Sequence, residues 1–534
     1  MEAFEPENLW KAWEEERFVN TAAPCLRHEH LQKYLKALAA HHAGELRLEE
    51  VGSSFLGRPI QMLTMGRGPE NILLWSQMHG DEPSATPALL DIAHYVLEHA
   101  EEPAVRSVLD CYTLLMIPML NPDGAEVYQR RNAQGIDINR DALQLATPEG
   151  ILLKRIRDEY EPILGFNLHD QDRRISVGDT GHVANMAVLS VSGDMHNTLT
   201  LGRLRTKRAN AAIATALAPF IPGGISRYHE DWSPTAFGDN ITAWGTPVIL
   251  IESGGVPAGT DVTELTRLNF VAILSVLGSL ALDDLAAHDP RVYDDLPLNR
   301  EQAWSDVVVR GGYVMQPGSS TAFRADLAFD RLLCDRQVAG CGVGVFTPSQ
   351  IVMVGDASTH GAGTSVNARE CLLIAPFTVG VRGLKEKHWL NHANLTRMAH
   401  MGTGTLCWAV DDTDRNAALD HTAQLKVPGL PQVKVMTGPG KFPGVVMNGP
   451  PDLAGKPASV GNILESLGAH DSDCAVALEK MWVEAPGDCR ETPPLIRHRP
   501  ASFLMVSPAP EGKIDFATSR LVSVWLDGQR IAPA

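Results

Sequence analysis

Across its first 287 residues the chain alternates short, almost unbroken apolar runs with stretches of helical period, and this restricts the fold more than any other feature. Asn71–Trp75, Tyr112–Pro118, Ile163–Leu168 and Pro247–Ile251 have the length of strands. Between and around them lie helical segments at Leu26–Ala43, Pro83–Ala100 and Leu265–Ala287, the first marked by Leu31, Leu35 and Leu38. A strand that is apolar throughout must be covered on both faces. The pattern therefore predicts an α/β fold: a mixed, mostly parallel sheet with helices on both faces.

The chain has 534 residues, enough for two to four domains, and no internal repeat is visible. Residues 1–25 read as an N-terminal extension and residues 26–287 as the α/β domain. The segment His288–Arg300, rich in Asp, Pro and Asn, reads as a linker. Beyond it Gly and Pro become dense, most of all over Lys426–Pro457, and helical period is sparse apart from Lys385–Met401. Residues 301–534 are accordingly expected to form a β-rich accessory domain.

Composition narrows the function classes. The chain is 44% hydrophobic and 21% charged, which excludes disordered and fibrous proteins. A net charge of −18 with no basic run argues against nucleic acid as a partner. Apolar runs such as Val248–Ile251 and Cys371–Ala375 are too short to cross a bilayer, so no membrane partner is expected. Residues Met1–Trp13 show neither the basic start nor the apolar run of a secretory signal. Eight scattered cysteines without a CxxC pair read as reduced, mostly buried side chains. The expected location is cytoplasmic.

Five segments carry chemistry. In Ser76-Gln-Met-His-Gly-Asp-Glu-Pro, His79 and Glu82 lie three apart at a strand-to-helix turn. That spacing can aim an imidazole and a carboxylate at one zinc ion, although HxxE alone is common and Glu also suits a helix start. In Phe166-Asn-Leu-His-Asp, His169 ends an apolar strand. Ligands of open α/β sheets gather at such ends, and two His with one Glu leave a zinc coordination position open for water. Glu252 ends the run Val248–Ile251, where a carboxylate is costly unless paired or employed. A general base and a strand-end ion pair are comparable readings there. Asn121-Pro-Asp-Gly is a turn signal. The stretch Arg130–Arg140 holds three arginines and two asparagines, which suits carboxylate binding or oxyanion stabilisation as well as a solvated loop.

In this order, with the lead-in Val51-Gly-Ser-Ser-Phe-Leu-Gly-Arg-Pro-Ile, the segments resemble the zinc carboxypeptidase family over residues 26–285. The resemblance implies that His79, Glu82 and His169 bind one zinc ion per chain, and that Glu252 is the general base and acid. It implies that Arg130 stabilises the oxyanion, that Asn139 and Arg140 grip the substrate's terminal carboxylate, and that Asp137 orients the first zinc histidine. Asn139-Arg-Asp-Ala departs from the family's Asn-Arg-Asn-Phe, and the interval from Glu82 to His169 is short. Tyr228 is the nearest candidate for the family's binding-site tyrosine, with Arg227, His229 and Asp231 beside it. A packed aromatic accounts for Tyr228 equally well.

The activity implied is zinc-dependent removal of a C-terminal amino acid from a peptide or peptide-like amide. An alternative is deacylation of N-acyl amino acids, whose products also carry a free carboxylate. A further alternative is a non-catalytic binding protein with a vestigial site. Homo-oligomerisation is left open. In the second half, Ile351–Ala357 with Asn367–Pro376 resembles the entry segment of amidohydrolases, and Leu521–Arg530 their closing β segment. The His-x-His metal motif of that family is absent after Pro376. His388 and His392 stand at i, i+4 on an expected helix, where a solvent-facing helix outweighs a metal site.

Overall fold

The computed structural model describes residues 2–315 except 22, 24, 25 and 257–260, then residues 323–330, 350–367 and short segments from 372 to 533. The chain forms two compact units, with Met1–Trp304 in the first and Ser305 opening the second.

In the first unit, α1 (Pro6–Glu16) and α2 (His28–His41) precede β1 (Arg47–Ser53), β2 (Pro59–Gly66) and β3 (Glu70–Ser76). Two helices, α3 (Ala85–Glu98) and α4 (Pro103–Cys111), lead to β4 (Tyr112–Ile117). The short α5 (Pro122–Val127) and then α6 (Pro148–Tyr160) precede β5 (Leu164–Asp170). After β6 (Ser176–Val177) and β7 (Met186–Ser190) come α7 (Leu201–Leu217), β8 (Ile225–Arg227) and α8 (Phe237–Ala243). The chain continues through β9 (Val248–Ser253), α9 (Thr263–Ala281), α10 (Arg291–Asp294) and β10 (Asn299–Arg300).

Eight strands make one sheet in the order β1-β2-β4-β3-β5-β9-β7-β8. Its centre, β4-β3-β5-β9, is parallel throughout. The flanking pairs β1/β2, β2/β4 and β7/β9 are antiparallel, and β7/β8 is parallel. The fold class is the mixed α/β arrangement expected from the apolar runs.

Those runs are apolar at nearly every position because both faces are covered. Ile72, Leu74, Leu114 and Met116 pack with α3, α4, α7 and α9, while Leu73, Trp75, Leu115 and Ile117 pack with α6 and α8. Each such fully buried side chain contributes about 1.5–3 kcal/mol of transfer free energy.

Residues 1–25 and 288–300, assigned above to an extension and a linker, contribute packed side chains to this same unit. Leu9 and Trp13 of α1 are buried in the core. Asp91 of α3 accepts Trp13 Nε1–H at 2.9 Å and the N–H groups of Phe18 and Val19 at 3.0 and 2.9 Å. Tyr293 of α10 is fully buried, and β10 pairs with β6. By length and apolarity α9 could cross a membrane, which the reading of short apolar runs overlooked. Its polar breaks hide a helix whose window is 78% buried against the sheet and its neighbours. Cys111, the free cysteine among the described residues, is exposed rather than buried because it ends α4 at the surface.

Among the described residues the second unit is built mostly from antiparallel strand pairs, with parallel pairing of Trp304–Met315 to Leu372–Ile374 and of Thr405–Val410 to Gln432–Thr437. Strands β11 (Trp304–Met315), β12 (Phe323–Asp330), β13 (Gln350–Gly355) and β14 (Gly361–Asn367) join Leu372–Ile374, Phe503–Ser507, Arg520–Leu526 and Gln529–Pro533 in one sheet. Val308, Ala328 and Ala357 form a small core there. A second sheet holds Phe377–Thr378, Gly444–Asn448, Thr405–Val410 and Gln432–Thr437. Residues 385–401, with His388 and His392, lie outside the described residues.

Candidate active site

The central parallel strands end together on one edge of the sheet, and the chemistry-bearing residues sit in the loops just beyond. His79 and Glu82 lie in the turn between β3 and α3, and His169 is the penultimate residue of β5. Glu252 holds the same place in β9, directly in register with His169. Leu168 and Ile251 point into the α3/α9 face. Strand alternation therefore sends His169 and Glu252 to the opposite face, side by side.

The loop bearing His79 is held by main-chain stitches. Ser76 and Gln77 carbonyls accept the N–H groups of Leu120 and Asn121 at 3.1 and 3.0 Å. Gly80 is then pressed onto the Asn121-Pro-Asp-Gly segment so tightly that a Cβ would stand 2.0 Å from the Gly124 carbonyl carbon. That segment is more than the turn expected: it starts α5, capped by Asn121 Oδ1 on Gly124 N–H at 2.9 Å. Asn121 Nδ2 also donates to the carbonyls of Met78 and Arg130 at 3.3 and 3.4 Å, tying the two functional loops together. Asp123 accepts Ser54 Oγ–H and Leu56 N–H, each at 2.9 Å, and an Arg58 N–H at 2.5 Å. The Val51–Ile60 lead-in thus serves as the partner of Asp123.

Three donor groups converge. His79 Nδ1 lies 2.7 Å from Glu82 Oε1, His169 Nδ1 lies 2.6 Å from Glu82 Oε2, and the two Nδ1 atoms are 3.2 Å apart. All three side chains are buried. The far nitrogen of His79, Nε2, meets Asp137 Oδ1 at 3.0 Å, which fixes the ring and leaves Nδ1 for the centre. Asp137 Oδ1 also caps the next turn by accepting Asn139 N–H at 2.9 Å.

Burial disfavours charge on His79, but Glu82 and Asp137 on its two nitrogens outweigh this and raise its pKa to about 9. Burial would raise Glu82 too, yet the two imidazoles hold it well below the usual carboxylate range. His169 is lowered, chiefly by burial. Glu252 is pushed well above an ordinary Glu by burial and by the Glu82 charge.

The set fits a zinc ion by its donors and by what already stands among them. Two neutral-capable imidazole nitrogens and a carboxylate are zinc's preferred N and O ligands. The Arg130 guanidinium lies among them, its Nη1 3.1 Å from both His79 Nδ1 and Glu82 Oε1, so a cationic group takes the place of a cation. Its Nε donates to Asp137 Oδ2 at 2.9 Å.

The other residues expected from the sequence surround this centre. The Asn139 side-chain oxygen is taken by the Phe237 N–H at 2.8 Å, which leaves its amide NH2 to donate elsewhere. Arg140 is exposed, with Nη1 on the Asn139 carbonyl at 2.7 Å. Tyr228 follows β8 and is half-buried; burial and the Glu252 charge raise its pKa, while Arg130 and Arg140 act on it in the opposite sense. Arg227 turns away from this group: it pairs with Glu230 at 3.3 Å and lies 5.7 Å from the Tyr293 ring. His229 and Asp231 are exposed. The structure adds Asn121, Asp123 and Gly80, positioning residues whose partners lie too far along the chain for local motif reading.

Residues 31–149 match the family model described as zinc carboxypeptidase. The chain is 28% identical to Carboxypeptidase SOL1 of Arabidopsis thaliana over 123 residues, 22% of this chain and 25% of that protein. It is 26% identical to Carboxypeptidase M of Mus musculus over 175 residues, 28% of this chain and 40% of that protein. The matched parts thus span well under half the length of these curated relatives. Among solved structures, a metallo-carboxypeptidase from Burkholderia cenocepacia is 18% identical and covers 48% of this chain and 69% of its own, with a TM-score of 0.39. The segment that matches the zinc carboxypeptidase model, residues 31–149, includes His79, Glu82, Arg130, Asp137, Asn139 and Arg140.

Proposed function

We propose that the chain is a zinc-dependent carboxypeptidase, cutting the amide bond next to a C-terminal residue that carries a free carboxylate. The observation that carries this reading is the convergence of His79, Glu82 and His169 with Glu252 one strand away. The ion would be held by the two Nδ1 atoms and the Glu82 carboxylate. The chemistry it supplies when bound is Lewis-acid polarisation of a carbonyl and a more acidic water.

The remaining work falls to side chains. Arg140 and the free amide of Asn139 offer donors for the terminal carboxylate, a fork-and-amide grip that selects a chain end. Arg130 is 42% exposed, so it can leave its partners and donate to the carbonyl oxygen as negative charge develops. Glu252 takes a proton from the attacking water, and its raised pKa suits returning that proton to the leaving nitrogen. The products are a shortened peptide carboxylate and a free amino acid.

The test is a mixed panel of peptides and N-acyl amino acids offered to the zinc-loaded chain, with released amino acids quantified. Release from peptides supports the proposal. Preferential turnover of acyl amino acids would move the reading to a deacylase, and no release from either class would sink both.

A further inference from the structure

A second group of metal-capable side chains lies at the other end of α3. His94 and Glu98 stand at i, i+4 in its closing turns, so they share one helix face. His41 and His42 close α2 beside them. The candidate ligand atoms lie within 4.8 Å of one another. His42 Nε2 is 3.0 Å from His94 Nδ1, His41 Nε2 is 2.8 Å from Glu98 Oε1, and His42 Nε2 is 3.8 Å from that same oxygen. A tetrahedral ion bound at ~2.1 Å needs ligand atoms ~3.4 Å apart. The observed separations bracket that value.

We propose that His41, His42, His94 and Glu98 form a second site, for a divalent transition metal of the zinc, copper and nickel class, independent of the His79/Glu82/His169 centre. The donor set, imidazole-rich with one carboxylate, selects this class over magnesium or calcium. His42 is buried and anchors the group, whereas His41 and Glu98 have side chains 54% and 43% exposed, which gives an ion a way in from solvent. Electrostatics favour a cation as well. Both α2 and α3 end here, and each helix brings about half a negative charge at its carbonyl end. In the metal-free arrangement the His42–His94 contact needs one shared proton, which the ion replaces. The 14 residues of α3 separate the two sites by roughly 20 Å, so neither can borrow the other's ligands. Bound metal would tie the end of α2 to α3.

The experiment is zinc counting on the full chain, stripped with chelator, reloaded and freed of excess by equilibrium dialysis. Three proteins are compared: wild type, a His41→Gln/His94→Gln variant, and a Glu82→Gln/His169→Gln variant. Expected are two equivalents for wild type and one for each variant. One wild-type equivalent that survives His41→Gln/His94→Gln and disappears with Glu82→Gln/His169→Gln overturns the proposal. One wild-type equivalent with the opposite behaviour supports it and removes the active-site reading instead. Cobalt(II) added to the Glu82→Gln/His169→Gln variant gives a reading that does not depend on altering the new site. Visible bands of nitrogen-ligated cobalt that zinc displaces are expected, and their absence overturns the proposal.

Discussion

His169 and Glu252 are register partners on adjacent parallel strands, so an imidazole and a carboxylate leave the same sheet face about one strand spacing apart, ~4.8 Å. A rigid sheet holds this relation more firmly than a loop could. It predicts that Glu252→Gln lowers turnover by about 10²–10⁴-fold, the usual worth of a general base. Zinc uptake should be unchanged, because Glu252 is not among the three converging ligands. Parallel rate and metal measurements check this, and simultaneous loss of both would make Glu252 a ligand.

Metal should stabilise the first unit. At a free zinc concentration 100 times its dissociation constant, one site adds about 2.7 kcal/mol. Zinc is therefore expected to raise the melting temperature of the stripped protein, and the rise should shrink with His79→Ala. Calorimetry with and without zinc reads the effect, and an unchanged rise in the variant would remove His79 from the ligand set.

Gly80 has no room for a side chain. Its Cβ would meet the Gly124 and Ala125 backbone at 2.0 and 2.3 Å, so Gly80→Ala must push the His79 loop away from α5. The expected cost is about 1–3 kcal/mol of stability, with weaker zinc binding because His79 and Glu82 flank the displaced residue. Denaturant titration and zinc competition on the same sample test both parts.

Asp123 is buried and binds Ser54, Leu56 and Arg58 at once. Asp123→Ala strands those donors and should cost about 2–4 kcal/mol. Asp123→Asn keeps the shape and some of the acceptors, so it should recover part of the loss in chemical denaturation. Equal stability of the two variants would make the carboxylate's hydrogen bonding irrelevant.

His99 bridges Glu16 of α1 and Glu102 at the start of α4, at 2.8 and 2.7 Å. Burial alone would lower its pKa, but these two hydrogen-bonded carboxylates raise it above 6.5. A folded pKa above the unfolded one adds stability that is complete below the unfolded pKa and is lost as pH rises through the folded value. His99→Gln should therefore be destabilising at about pH 5.5 and nearly neutral at about pH 9, since a neutral ring no longer rewards the two carboxylates. A stability gap that grows with pH would contradict the sign.

The sequence exposes features whose cause is local. The strands that carry the site appear as apolar runs because β3, β4, β5 and β9 are buried on both faces. His79 and Glu82 are visible because one turn holds both. Other features depend on partners distant in the chain: Asp123 answers residues 65 to 69 positions earlier, and His42 meets His94 across 52 positions. No window along the chain contains both halves of such a pair. Asn121–Gly124 illustrates the boundary, since its turn character is legible while its hold on Met78 and Arg130 is not. The packing of α1 against Asp91 belongs to the same class, because nothing in residues 1–25 announces a carboxylate 78 positions away.

The stitched strand ends also set the order in which the proposed site can assemble. His79 and His169 are 90 residues apart, and Glu252 comes 83 residues later, on strands that pair only once the parallel centre has assembled. Non-local parallel pairing is among the slower steps available to a chain. A nascent polypeptide that has emerged only as far as β4 already displays His79 and Glu82 but lacks His169 and Glu252. The proposed site therefore cannot be complete until synthesis has passed residue 252.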